Sequence, residues 1–347
     1  MFTMSVDAGV PPVLGRVTIT DVARAAGVSV ATVSKVVNAR YGVAPSTVEK
    51  VMAVVNELGY ETSLIASSLR RSRTNVIGVL VTEFEPYSAE LLKGIGAAAH
   101  GTGYELLAHS GWVDQAPPIG WERRSLSRLA GTLIDGAILV TPTAVTADTP
   151  IPVVAIDPHT GRGGPSTVDA DNVGGARAAV EHLISLGHRR IAHLRGRVDL
   201  ESSYRREEGY RRCLEKAGIP FDPSLVLDGD YRREVGRTSA IDLLDRTERP
   251  TAIFAANDLS ALGALDAARE LGIDVPRELS IVGFDDIPES TATAPRLTTI
   301  AQPLRQMGAT ALRMLVEQLN GQESGTRHEH LRSELVIRES TAPPPAA

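Results

Sequence analysis

Cysteine is nearly missing from this 347-residue chain. Cys213 stands alone, so no internal disulfide can form, and its place in the helical pattern GYRRCLEKAG reads as a small core residue rather than a reactive thiol. Long apolar runs are also missing. The longest, VIGVLV and GAILV, fall far short of the roughly 20 residues that a membrane helix requires, so no membrane partner is expected. The first fifteen residues lack a basic start, an apolar stretch and a small-residue cleavage site, which points to the cytoplasm. Signatures of catalysis are wanting too: there is no G-x-x-x-x-G-K-S/T, no G-x-S-x-G and no cysteine pair. GIGAAA satisfies a dinucleotide fingerprint but follows AELLK inside a helical pattern instead of a strand, and His328-Glu329-His330 is an isolated, solvated triplet. No enzyme, cofactor or metal is expected.

What is present is uneven in charge. Residues 1–75 hold eight Lys and Arg against five Asp and Glu, a net +3 in a chain of net −6. A small basic head therefore sits on an acidic body, an asymmetry that suits a nucleic-acid partner for the head. Within it, TITDVARAAGVSVATVSKVVN carries two short helical patterns around one glycine. Thr20 is the expected cap of the first, whose Val22, Ala23 and Ala26 share a face, and Gly27 offers the left-handed stop. Ser29 is the expected cap of the second, with Val33, Val36 and Val37 inward. This is a helix-turn-helix pattern. Pro45 opens a third helix, with Val48, Val51, Met52, Val55 and Leu58 on one face, ending at Gly59. TSLIASSLRRSRT then carries a short helical pattern that Ser63 can cap; alone it is too short to be stable, so it is expected to order against a partner or DNA.

From Val76 onward, apolar runs (VIGVLV, YELLAHS, GAILV, VVAID, RIAHLRG, AIFAAN, LSIVGF) alternate with amphipathic stretches of about a dozen residues. The alternation predicts an α/β body of doubly wound parallel sheets, two of them by the number of units, with a ligand in the cleft at the strands' carboxyl ends. GWVDQAPPIGWERR, with both tryptophans, either borders that cleft or connects elements.

TITDVARAAGVSVATVSKVVN, TVEKVMAVVNELGY and the following A-x-x-L together resemble the head of the LacI/GalR family of bacterial transcriptional repressors, and the likeness runs through EHLISLGHRRIAHLRG, AIFAANDLSALG and ELSIVGFDDI to about Thr341. The resemblance implies a disordered 1–16, a DNA-binding head at 17–61, a hinge helix and linker at 62–74, a two-lobed periplasmic-binding-protein-like body at 75–340, and a disordered tail at 341–347. The first lobe would take about 75–172 and 301–328, and the second about 173–300 and 329–340. The DNA-contacting set it implies is Thr18, Ser29, Val30, Ala31, Thr32, Ser34, Lys35, Asn38, Ser63, Ala66 and Leu69. Val30, Ala31 and Lys35 would face base edges; Ser29, Thr32, Ser34 and Asn38 suit phosphates; Leu69 would be a minor-groove wedge. The cleft set is Tyr87, Asp157, Arg206, Tyr231, Asn257 and Asp285. Carboxylates, an amide, a guanidinium and a ring suit a sugar's hydroxyls and apolar face.

The implied function is a homodimeric repressor of sugar-utilisation genes, bound to a palindromic operator and released by a sugar inducer. A purine- or phosphosugar-responsive co-repressed regulator, and a sugar-binding receptor without DNA function, are the alternatives. Departures from the family pattern are Thr62-Ser63 in place of Pro-Asn, Ser67 in place of an arginine, Ala44 in place of a serine cap, and EFEPYSAELL in the first lobe in place of Asn-Pro-Phe/Tyr. No leucine heptads follow Thr341, which favours a dimer over a tetramer.

Overall fold

A computed structural model describes residues 17–37, 41–60, 73–111, 120–144, 149–159, 164–322 and 325–345, in two compact units, Met1–Ser72 and Arg73–Ala347. Among its described residues the first unit has three helices around an aliphatic core of Val22, Ala23, Ala26, Val33, Val36 and Val51. The first helix, α1 (Ile19–Ala26), is capped by Thr18 and not by Thr20. The Asp21 amide donates to Thr18 Oγ1 at 3.4 Å while the Thr18 amide donates to the Asp21 carboxylate at 3.0 Å. The reciprocal box needs an acid three residues after the cap; Asp21 fills that place for Thr18, and Ala23 cannot for Thr20. Gly27 closes the helix at φ 63°. The second helix, α2 (Val30–Val37), starts at Ser29, whose Oγ accepts from the Thr32 amide at 3.1 Å. The third, α3 (Pro45–Leu58), has no side-chain bond at Ala44 and ends at Gly59. Met52, placed inside by periodicity, is 40% exposed, and Val54 packs on the core instead.

Among its described residues the second unit holds two six-stranded sheets. The first runs β11-β5-β4-β3-β1-β2 and is parallel throughout; its strands are β1 (Val76–Val81), β2 (Glu105–Ser110), β3 (Gly136–Val140), β4 (Val153–Ile156), β5 (Ser166–Ala170) and β11 (His328–Leu331). Against one face lie α4 (Pro86–Ala99) and α10 (Leu304–Leu319), through Leu91, Ile95, Met307 and Leu315. Against the other lies α5 (Trp121–Leu129), through Trp121 and Leu126.

The second sheet runs β12-β10-β9-β8-β6-β7, from β6 (Ile191–Arg195), β7 (Val226–Asp228), β8 (Ala252–Ala255), β9 (Ser280–Asp285), β10 (Thr298–Ala301) and an antiparallel β12 (Glu334–Val336). Helices α6 (Asn172–Ser185) and α7 (Glu201–Lys216) cover one face, and α8 (Arg233–Leu244) and α9 (Asp258–Glu270) the other. Central strands such as β1, β3, β4, β8 and β9 are buried along their whole length, the signature of a sheet covered on both sides.

The chain passes between the sheets after β5, after β10 and between β11 and β12. Residues 329–331 belong to the first sheet, so the last passage falls later than the expected boundary at 328. Cys213 is buried on α7 among Tyr210 and Leu214, where burial pushes its thiol up to about 11, consistent with a core residue. GIGAAA lies within α4, and His330 on β11 donates from Nδ1 to the Asp169 carboxylate at 2.6 Å; no metal-holding group occurs among the described residues.

Candidate functional site

Strand ends converge on a cavity of about 350 Å³ lined from both sheets. Asp157 follows β4 and Thr141 follows β3; Asp230 and Tyr231 follow β7, and Asp285 ends β9. All five have positive φ, from 47° at Thr141 to 116° at Asp285, in side-chain-bearing residues that rarely adopt it. Such strain persists only where surroundings over-determine it, and it concentrates here at the mouths of strands.

Arg206 of α7 is the centre of the lining. Its Nε donates to Asn172 Oδ1 at 2.8 Å, and its Nη1 to the Ala256 carbonyl at 2.5 Å and to Asp285 at 3.5 Å. The guanidinium also lies 3.8 Å from the Phe284 ring centroid. Asp285 accepts from Gln302 Nε2 at 2.7 Å. Burial nevertheless raises the Asp285 carboxyl against the pull of Arg206, and burial raises Asp157 in the same way. Tyr87 reaches Asp157 with its hydroxyl at 3.4 Å, and Tyr231 shares a 2.9 Å bond with Ser202. Asn257 caps α9: its Oδ1 accepts from the Ser260 amide at 2.9 Å, and its Nδ2 donates to the Tyr231 carbonyl at 3.2 Å. All six cleft residues expected from sequence thus line one cavity.

Sequence reasoning missed Glu85, His159, Arg197 and Ser202, which line it too. It also missed Asn172 and Gln302, which hold Arg206 and Asp285 from behind. Glu85 lay in view as the departure EFEPYSAELL, and Asn172 follows the strand end STVDAD. Trp121 is buried under Gly111 and lines a small annex with Thr82, Thr141, Arg197 and Leu200, four residues that also line the main cavity, so this tryptophan borders the cleft.

Glu85 has its pKa raised from 4.5 to about 7, first by burial and then by the charges of Asp285 and Glu83. Between these values the folded chain keeps a proton that the unfolded chain has lost, so stability falls as pH rises through that window. Thermal melts of the wild type and Glu85→Gln between pH 5 and 8 are expected to converge at the acid end and separate in favour of the variant as pH rises. Parallel curves would overturn this reading of Glu85.

In the first unit, Thr18, Ser29, Val30, Ala31 and Lys35 are exposed, and Thr32 and Ser34 are half-buried. The hydroxyls of Ser29 and Thr32 pair at 2.8 Å. Val30, at 43% exposure, and Ala31 present an apolar step on α2 with Lys35 a turn away. Asn38, Ser63, Ala66 and Leu69 lie outside the described residues.

Residues 18–63 match the description "Bacterial regulatory proteins, lacI family", and 180–341 match "Periplasmic binding protein-like domain". The chain is 37% identical to the transcriptional regulator DegA of Bacillus subtilis (strain 168), over 94% of this chain and 99% of that protein. The chain belongs to the LacI family of bacterial regulatory proteins. Another LacI-family relative is the regulator CelR of Thermobifida fusca, 34% identical over 94% of this chain and 98% of that protein. Among solved structures, a lac repressor dimer bound to operator and the anti-inducer ONPF superposes with a TM-score of 0.79 at 29% identity, covering 94% of this chain and 99% of that one. A CelR–cellobiose complex does so at 0.69 and 33%, covering 94% and 100%. The LacI-family chain is a DNA-binding transcriptional regulator and not an enzyme, and the reading as a receptor without DNA function is not favoured. No helix among its described residues is long and apolar enough to cross a membrane.

Proposed function

We propose that this regulator is a cytoplasmic homodimeric repressor that binds a roughly palindromic operator through α2 and leaves it when a neutral sugar fills the cleft. The observation that carries the sugar reading is the charge of the cleft. Glu83, Glu85, Asp157, Asp230, Glu234 and Asp285 line it against four arginines. Those arginines are engaged by carboxylates: Arg206 by Asp285, Arg197 by Asp199, Arg232 by Glu83 and Asp230, and Arg233 by Asp266. A phosphosugar would meet a carboxylate-rich wall, whereas vicinal hydroxyls find paired acceptors and donors. Tyr87, Asp157, Arg206, Tyr231, Asn257 and Asp285 are assigned to the sugar.

The signal has a route. Asn172 and Gln302 stand at two of the passages between the sheets, and each is bonded to a cleft residue, Arg206 or Asp285. A ligand that draws on Arg206 and Asp285 therefore biases the hinge, and the lobes of a dimer transmit the change to the heads. Leu69 keeps its role as minor-groove wedge by family likeness.

The test is recovery of genomic DNA fragments bound by the purified chain, followed by titration of the bound complex with sugars. A shared palindrome whose complex dissociates with a sugar is the expected result; no enriched site, or tightening on sugar, would count against the repressor or the inducer reading respectively. Lys35→Ala is expected to lose about 1–3 kcal/mol of operator binding, concentrated at one base position per half-site. A uniform loss across sequences, measured by competition with mutated operators, would move Lys35 from base to phosphate.

A further inference from the structure

We infer that His159 is a ligand-contacting residue of the cleft, whose Nε2–H donates to an oxygen of the bound molecule; this rests on the cleft being the effector site. His159 stands on the loop after β4 in the first lobe. Its backbone amide donates to the Pro142 carbonyl at 3.0 Å, which fixes the loop. Its ring is fixed from the other lobe: the backbone amide of Glu201, first residue of α7, donates to Nδ1 at 3.0 Å. An amide that donates to Nδ1 requires a bare Nδ1, so the neutral ring carries its proton on Nε2. Burial keeps the ring neutral and pushes its pKa down to about 4, against the nearby Asp199 carboxylate and with Arg197, Arg205 and Arg206 reinforcing it.

Nε2–H is enclosed and has no partner. Five buried side-chain polar atoms among the described residues share that condition, on Glu122, His159, His193, Gln302 and Ser333. His159 alone among these five lines the main cavity. His193, for contrast, stacks between the Tyr210 and Phe254 rings in the core of the second lobe. A buried donor without an acceptor is unfavourable, and a cleft that holds one is matched to a ligand that brings the acceptor. A hydroxyl or ring oxygen does so. The same imidazole then couples occupancy to closure, because its Nδ1 bond joins the first lobe to α7, the helix that carries Ser202 and Arg206.

Two variants separate the ring's two nitrogens. His159→Asn keeps an acceptor near Nδ1 and removes the outer donor; His159→Gln keeps a donor near the outer position and gives up the acceptor. Long-range proton–nitrogen spectra of the full ligand-free chain, with the His159 signals assigned by their loss in His159→Asn, are expected to show the Nε2–H tautomer and no protonation at pH 6. The Nδ1–H tautomer, or a charged ring, would overturn the inference. Melting-temperature shifts are then read with cellobiose, ribose and glucose on chains whose ligand-free melts show them folded. For the sugar that shifts the wild type, His159→Asn is expected to bind at least ~10-fold more weakly, with His159→Gln between them. Equal affinity of His159→Asn and wild type would also overturn it. Should none of the sugars shift the wild type, the sugar reading of the cleft fails, and the tautomer alone decides for or against His159.

Discussion

Arg206→Ala is expected to abolish the response to effector and to destabilise the body by about 3–5 kcal/mol, because it removes one partner from a buried, hydrogen-bonded charge cluster. Arg206 is 3% exposed and serves Asn172, Ala256 and Asp285 at once, with the Phe284 ring beneath it. Without it, Asp157 and Asp285 lose the cation that opposes their rise in pKa, and both carboxyls are driven further toward the neutral acid. The loss should therefore be largest at alkaline pH, where the folded state must carry those charges, and smaller in acid. Arg206→Lys is not expected to rescue: one ammonium cannot reach Asn172 and Asp285 along the two directions of the guanidinium, nor stack flat on Phe284. The measurement is a denaturant melt at several pH values beside operator release by the sugar that acts on the wild type. A variant as stable as wild type, or one still released by that sugar, would show that the cluster is not what reads the ligand.

Much of this cleft was legible in the sequence, and the reason is chemical. Strand ends such as VVAID, AAND and VGFDD put a polar residue directly after an apolar run, and a parallel sheet delivers such residues to one edge. The family resemblance named Tyr87, Asp157, Arg206, Tyr231, Asn257 and Asp285, most of them just beyond a strand, and all line one cavity. Glu85 and His159 were not named, because each takes its character from a neighbour far along the chain. The raised pKa of Glu85 draws, after burial, on the charge of Asp285 in the other lobe, and the tautomer of His159 depends on Glu201. The short strand VLD gives too little periodicity to declare itself and is fixed by pairing with β6. In the head, the helix pattern was plain but its start was displaced by two residues, since Thr18 wins over Thr20 through Asp21.

The two glycines of GIGAAA are expected to respond to alanine with opposite signs, although they stand two residues apart on α4. A Cβ at Gly94 would lie 2.0 Å from the backbone carbonyl oxygen of Arg305 on α10, while one at Gly96 would have nothing within 4 Å. Gly308 returns the contact, since a Cβ there would lie 2.4 Å from the Leu91 carbonyl oxygen. The two helices thus meet backbone to backbone, and neither side has a flexible side chain to yield. Gly94→Ala must push α4 and α10 apart across the core that holds Leu91, Ile95, Met307 and Leu315, with an expected loss of about 3 kcal/mol or more. Gly96→Ala gains helix propensity on an open face, by about 0.5–1 kcal/mol. Because α4 carries Tyr87 in its first turn and α10 follows the Gln302 passage, the first substitution should also blunt the effector response, whereas the second should leave it intact. Paired denaturant melts decide the matter: a loss in both variants would mean that α4 tolerates no added atom anywhere, and a gain in both would mean that the helices separate without penalty.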